Sequence, residues 1–209
     1  MNEIPLIEDI YSQTLKLISL YHLHKLPIPF GLKGNLGEFH VQMELMKRFK
    51  DVVPKFLGGS YPGIDNQFGK VGIQVKTQVK SSRMEFKKGS FDFESSPTIK
   101  RSTFETDTVD ILVLVILYPD ENYVSINCTN VYIFDRDDFD MFRTEFCWSG
   151  KSKGDRTIVK IIRLEGIIPI KRMESIAVYN TSEYEKLFAS SKDNWTKIEN
   201  AWHKKKILP

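Results

Sequence analysis

Apolar residues recur at helical spacing over residues 5–24, Leu6, Ile10, Leu17 and Leu20 among them. The stretch PIPFGLKG then breaks the chain before a second helical pattern near 35–50. Between 63 and 80 the period changes to two, which predicts a β-hairpin, and FDF at 91–93 predicts a further short strand. Asp110 is followed by ILVLVILY, a continuous apolar run that predicts a central strand covered on both faces. VSINCTNVYIF predicts one or two more strands, DRDDFDMFRTEF a short helix and RTIVKIIRL another strand. The tail, SEYEKLFASSKDNWTKIENAWHKKK, predicts a helix that ends in lysines. This order predicts an α/β fold, a central mixed β-sheet flanked by helices, with no repeat or linker to divide residues 1–209.

Inside the hairpin, Gly69 and Lys70 are expected to form a two-residue turn of type II′, with glycine at the position of positive φ. Phe68 then pairs with Val71, and Asp65 lies opposite Gln74. Opposed side chains share a face about 4.5–5.5 Å apart, and Lys76 falls on that same face. The reverse face carries Ile64, Phe68, Val71, Ile73, Val75 and Val79. On alternation alone, Asp65, Gln67, Gln74, Lys76, Gln78 and Lys80 read equally well as a solvated face.

Glu38 changes the picture. At 100° per residue, Leu45 and Phe49 lie about 20° either side of it, so a carboxylate stands within the apolar stripe of the second helix. Burial penalises its charge unless a cation or hydrogen bonds compensate. Two arrangements are open: Glu38 beside the polar face of the hairpin, or a capping box in which it reaches back to the N–H of a capping Asn35.

These residues, in this order, resemble the restriction-endonuclease-like, or PD-(D/E)XK, nuclease superfamily. The resemblance runs from about Leu32 to Tyr118: a helix with Gly37-Glu38, then Pro62-Gly63-Ile64-Asp65, then Ile73-Gln74-Val75-Lys76, then the strand after Asp110. The Q-x-K ending is most similar to Mrr-type restriction enzymes, and the helix with the GGS opening is also similar to archaeal Holliday-junction resolvases. Gln74 stands where most members have Glu or Asp, and a neutral amide oxygen is a weaker ligand for hard cations. The resemblance implies a restriction-endonuclease-like core over about 32–135, with recognition or dimerisation elements over about 136–209.

It further implies a Mg²⁺-dependent DNA endonuclease of type II-like restriction character, in which Mn²⁺ can substitute. The implied catalytic residues are Glu38, Asp65, Gln74 and Lys76, and the implied metal ligands are Asp65, Glu38, Gln74 and the carbonyl of Val75. Double-stranded DNA is the expected substrate, and a homodimer the expected assembly for cutting both strands. A structure-selective resolvase or repair nuclease is the nearest alternative. A non-catalytic DNA-binding or assembly module, with Gln74 marking a decayed site, is the alternative from another class.

The formal charge of +3 is too mild by itself to announce a nucleic-acid partner. Its distribution says more. Residues 70–101 hold Lys70, Lys76, Lys80, Arg83, Lys87, Lys88, Lys100 and Arg101 against Glu85, Asp92 and Glu94, a net of +5 that exceeds the whole chain's. Lys80, Arg83, Lys87, Lys88, Lys100 and Arg101 are therefore expected to meet a phosphate backbone, with affinity that falls as salt rises. The lysines at 204–206 are expected to be solvating.

Cys128 and Cys147 form no C-x-x-C pair, and no apolar run approaches the ~20 residues of a membrane span. With no signal-peptide pattern at MNEIPLIEDIYSQ, a cytoplasmic protein without membrane partners is expected. Gly150-Lys151-Ser152 lacks the earlier glycine of a P-loop, since Glu145 occupies that position, and CWSGKSKGD reads as a hairpin loop. The four histidines show no ligand spacing.

Overall fold

The computed structural model describes residues 4–50, 52–57, 63–79, 98–100, 107–122, 124–138, 148–149, 158–160, 186–187 and 189–207. It is a mixed α/β fold. Helices α1 (Ile4–Leu23) and α2 (Phe30–Arg48) precede strands β1 (Lys55–Phe56), β2 (Asn66–Phe68), β3 (Val71–Val79), β4 (Thr98–Lys100), β5 (Ile111–Pro119), β6 (Ile126–Asp135), β7 (Trp148–Ser149) and β8 (Ile158–Lys160). Helix α3 (Thr196–Ile207) follows them. Among the described residues no helix is long and apolar enough to cross a membrane.

Five strands form one mixed sheet in the order β1-β2-β3-β5-β6. Only β3 and β5 run parallel; the other three pairings are antiparallel. Residues Ile111, Val113, Val115 and Leu117 of β5 face a core that also contains Leu15 and Ile18 of α1, Leu36, Val41 and Leu45 of α2, and Ile198 of α3. Leu112, Leu114 and Ile116, which alternate with them, are buried as well, as the continuous apolar run predicted. A second, three-stranded sheet has the order β4-β8-β7. In it Trp148 pairs with Val159 and Ser149 with Ile158, so the chain between β7 and β8 joins an antiparallel pair.

The turn follows the expected register, with Phe68 opposite Val71, Gln67 opposite Gly72 and Asn66 opposite Ile73. Gly69 has φ +61°, whereas Lys70 is not among the positive-φ residues, the φ signs of a type II′ turn. Trp202 of α3 lies over this turn. A Cβ on Gly69 would stand 2.9 Å from its ring, so glycine serves both the backbone and the close approach.

Helix α2 starts earlier than the sequence suggested. Only the stretch up to Pro29 breaks the chain, and Phe30-Gly31-Leu32-Lys33-Gly34 is already helical. Pro29 sits at the N-cap, outside the hydrogen-bonded helix, where its missing N–H costs nothing. Glycine costs a helix about 1 kcal/mol relative to alanine, but Gly37 lets α2 approach β3. A Cβ there would fall 2.0 Å from Thr77 Oγ1. Thr77 Oγ1 also donates to the Gly34 carbonyl at 3.1 Å, a second tie between the same two elements.

Asp110 fastens the start of β5 to β3 and α3. It is buried, and its Oδ2 accepts from the Gly72 N–H at 2.8 Å and from Lys205 Nζ at 2.7 Å. Arg136 Nε lies 3.5 Å from its other oxygen. Lys205 also donates to the Lys70 carbonyl at 3.2 Å. Lys206 lies 5.0 Å over the Trp202 ring. The terminal lysine run is thus partly structural, not simply solvating.

Candidate functional site

Asp65 lies one step beyond the last ladder pair of β2, where the chain leaves the sheet but stays tied to it. Its N–H donates to the Ile73 carbonyl and its carbonyl accepts from the Leu57 N–H, both at 2.9 Å. The side chain turns toward β3. Asp65 Oδ2 accepts from Gln74 Nε2 at 2.6 Å and from the Val75 N–H at 2.7 Å. The expected juxtaposition of Asp65 with Gln74 is present, with the amide nitrogen, not its oxygen, toward the carboxylate. A strand residue presents its N–H and C=O to the same neighbour, so the Val75 carbonyl is turned to the side on which Asp65 lies.

Glu38 is the ninth residue of α2, and Asn35 is itself within the helix. A capping box with Asn35 is therefore excluded, because the helix has no free first-turn N–H at that point. Asp65 and Lys76 both lie close enough to Glu38 for their charges to act on it. Burial above all, and then the Asp65 charge, push the Glu38 carboxyl up to about 7, with the Lys76 charge acting in the opposite direction. A cation placed beside Glu38 would lower the cost that burial sets on ionising its carboxyl.

Asn66 is a residue the pattern missed. Fully buried, it donates Nδ2 to the Glu38 carbonyl at 3.3 Å and so links the residue after Asp65 to the backbone of Glu38. Its Oδ1 is one of two buried side-chain oxygens without a partner among the described residues, the other being Gln42 Oε1. The signal was available: Asn66 sits between Ile64 and Phe68 on the apolar side of the hairpin, where an amide needs a reason.

Carboxylate and carbonyl oxygens, the donor types of Asp65, Glu38 and Val75, are those that a hard cation such as Mg²⁺ takes. Among the described residues there is no group of three or more His, Cys, Asp or Glu that could hold a metal ion. Two carboxylates and an amide make a leaner site than three carboxylates. Lys100 lies in β4, of which only the backbone is described, while Lys80, Arg83, Lys87, Lys88 and Arg101 lie outside the described residues, as do FDF at 91–93 and Cys147. Comparison with family models, with curated proteins and with solved structures gives no match for this chain.

Proposed function

We propose that the chain is a Mg²⁺-dependent DNA endonuclease with a restriction-endonuclease-like core, using Mn²⁺ as a substitute, and that Glu38, Asp65, Gln74 and Lys76 carry its chemistry. The observation behind this reading is the meeting of Asp65, Gln74 and the charges of Glu38 and Lys76 at one end of the hairpin. A phosphodiester is an anion, so its hydrolysis needs positive charge on the phosphate, a positioned water and help for the departing oxygen. A divalent ion would supply Lewis acidity toward the phosphoryl oxygen.

The residues supply the rest. Asp65, held by two N–H donors on one oxygen, presents its other oxygen as the chief ligand. Glu38 and the Val75 carbonyl complete the protein's oxygen set. Lys76 orients the water that attacks phosphorus and offsets charge that gathers on the phosphoryl oxygens as the P–O bond to the leaving group breaks. The basic segment through Lys80, Arg83, Lys87, Lys88, Lys100 and Arg101 draws the duplex backbone toward the site.

One observation favours a rival. Gln74 gives Asp65 a hydrogen-bond donor, which satisfies a carboxylate that has lost its ion, as in a DNA-binding module with a decayed site. Supercoiled plasmid, linear duplex and four-way junctions, incubated with Mg²⁺ or Mn²⁺ and the product ends sequenced, separate the readings. An endonuclease cleaves, and Asp65→Ala and Lys76→Ala abolish cleavage while the fold remains. Preference for junctions points to a resolvase. Binding without metal-dependent cleavage on every substrate overturns the enzyme reading.

A further inference from the structure

Helix α1 has two apolar faces, and the core uses one. Leu15 and Ile18 point inward, and Tyr11 packs beside them with its hydroxyl pushed up to about 12 by burial. On the other side Leu6, Ile10, Leu17 and Leu20 remain 62, 38, 42 and 53% exposed. With Gln13 among them they follow alternating steps of four and three, the spacing of a coiled-coil seam. At 100° per residue the four apolar side chains fall within about 80° of arc. An apolar row of this kind, rimmed by polar residues, marks an interaction surface. Asp9 and Lys16, both exposed, stand seven residues apart along one flank of it.

We propose that this seam is a self-association surface that pairs α1 antiparallel with α1 of a second copy about a two-fold axis. Such an axis makes each contact twice, so the surface must complement itself. With Leu6 set against the partner's Leu17, Asp9 comes beside the partner's Lys16 and Lys16 beside the partner's Asp9. Parallel pairing would place these charges against Thr14 and Tyr21, with no ion pair formed. Shifting the antiparallel register by one heptad brings the two Lys16 side chains together. Charge therefore selects one orientation and one register. The pairing does not depend on the chemistry proposed for Asp65 and Glu38. Two helices of about 30 Å with four large apolar residues each fall at the small end of specific interfaces, so a dimer of micromolar affinity is expected.

Sedimentation velocity on the full chain over about 1–100 μM tests this range. The expected result is a concentration-dependent dimer that Leu17→Lys weakens at least tenfold without changing the circular dichroism spectrum. Asp9→Lys and Lys16→Asp should each be monomeric alone, and an equimolar mixture should dimerise, since the mixed pair restores both opposite-charge contacts. A wild-type chain that stays monomeric throughout overturns the proposal. So does a dimer indifferent to Leu17→Lys, or a mixture that associates no better than its separate components.

Discussion

Gly37 of α2 and Thr77 of β3 touch so closely that a Cβ on the glycine would stand 2.0 Å from Thr77 Oγ1 and 2.9 Å from Thr77 Cβ. In an open helix Gly→Ala stabilises by about 1 kcal/mol. Here Gly37→Ala should instead destabilise by about 1–3 kcal/mol, the ordinary cost of overpacking. Urea denaturation gives the sign directly. Thr77→Ala in the same chain should recover part of the loss by removing Oγ1 and Cγ2, and a stabilising Gly37→Ala would mean that the helix and strand stand farther apart.

The Glu38 carboxyl ionises near pH 7 instead of its ordinary 4.5, so folding takes up a proton between those values. This contribution to stability is fully present below about pH 4.5, shrinks as pH rises and is lost above about pH 7. In chelator, the wild-type chain should lose stability from pH 5 to 8 more steeply than Glu38→Gln, which should be the more stable of the two at pH 8. Parallel pH profiles for the two proteins would show that Glu38 is not strained by its surroundings.

Gln74→Glu replaces a donor to Asp65 with a second carboxylate. Without metal this should cost about 1–3 kcal/mol, through the lost hydrogen bond and repulsion in a buried position. With millimolar Mg²⁺ the variant should gain more in melting temperature than the wild type, because an ion that binds only the folded state stabilises it by mass action. A variant that is destabilised and gains nothing extra from Mg²⁺ would argue against a cation at Asp65.

Lys205→Met removes the nearest cation from buried Asp110 while leaving the Gly72 N–H and Arg136 in place. A loss of roughly 2–3 kcal/mol is expected, below the full cost of an unpaired buried charge. Under the proposed endonuclease reading, cleavage per folded molecule should be unchanged, because this contact fastens the start of β5 to β3 and α3. Equal loss of stability and of turnover per folded molecule would place Asp110 nearer the chemistry than its contacts indicate.

The hairpin could be read from the chain because its information is local. Alternation gives the faces, and Gly69 gives the turn that sets the register. The run after Asp110 was readable for a similar reason, since a strand buried on both sides needs no polar alternation. The start of α2 was hidden because Pro27, Pro29, Gly31 and Gly34 together look like a break, although the helix already begins at Phe30. Leu6, Ile10, Leu17 and Leu20 were visible as apolar, but periodicity cannot say which of two apolar stripes the core will take. Asn66 and Lys205 acquire their roles from partners distant in sequence, Glu38 and Asp110.

The sheet joins two very different separations along the chain. Phe68 meets Val71 three residues away, whereas Ile73 meets Ile111 across thirty-eight. Closing the short turn is a microsecond event, and the long parallel pairing must wait for a much larger loop to close. Asp65 and Gln74 can therefore find each other early in folding, but a two-stranded ribbon is barely stable in water. The rate at which β5 docks would then set how soon that first encounter becomes permanent.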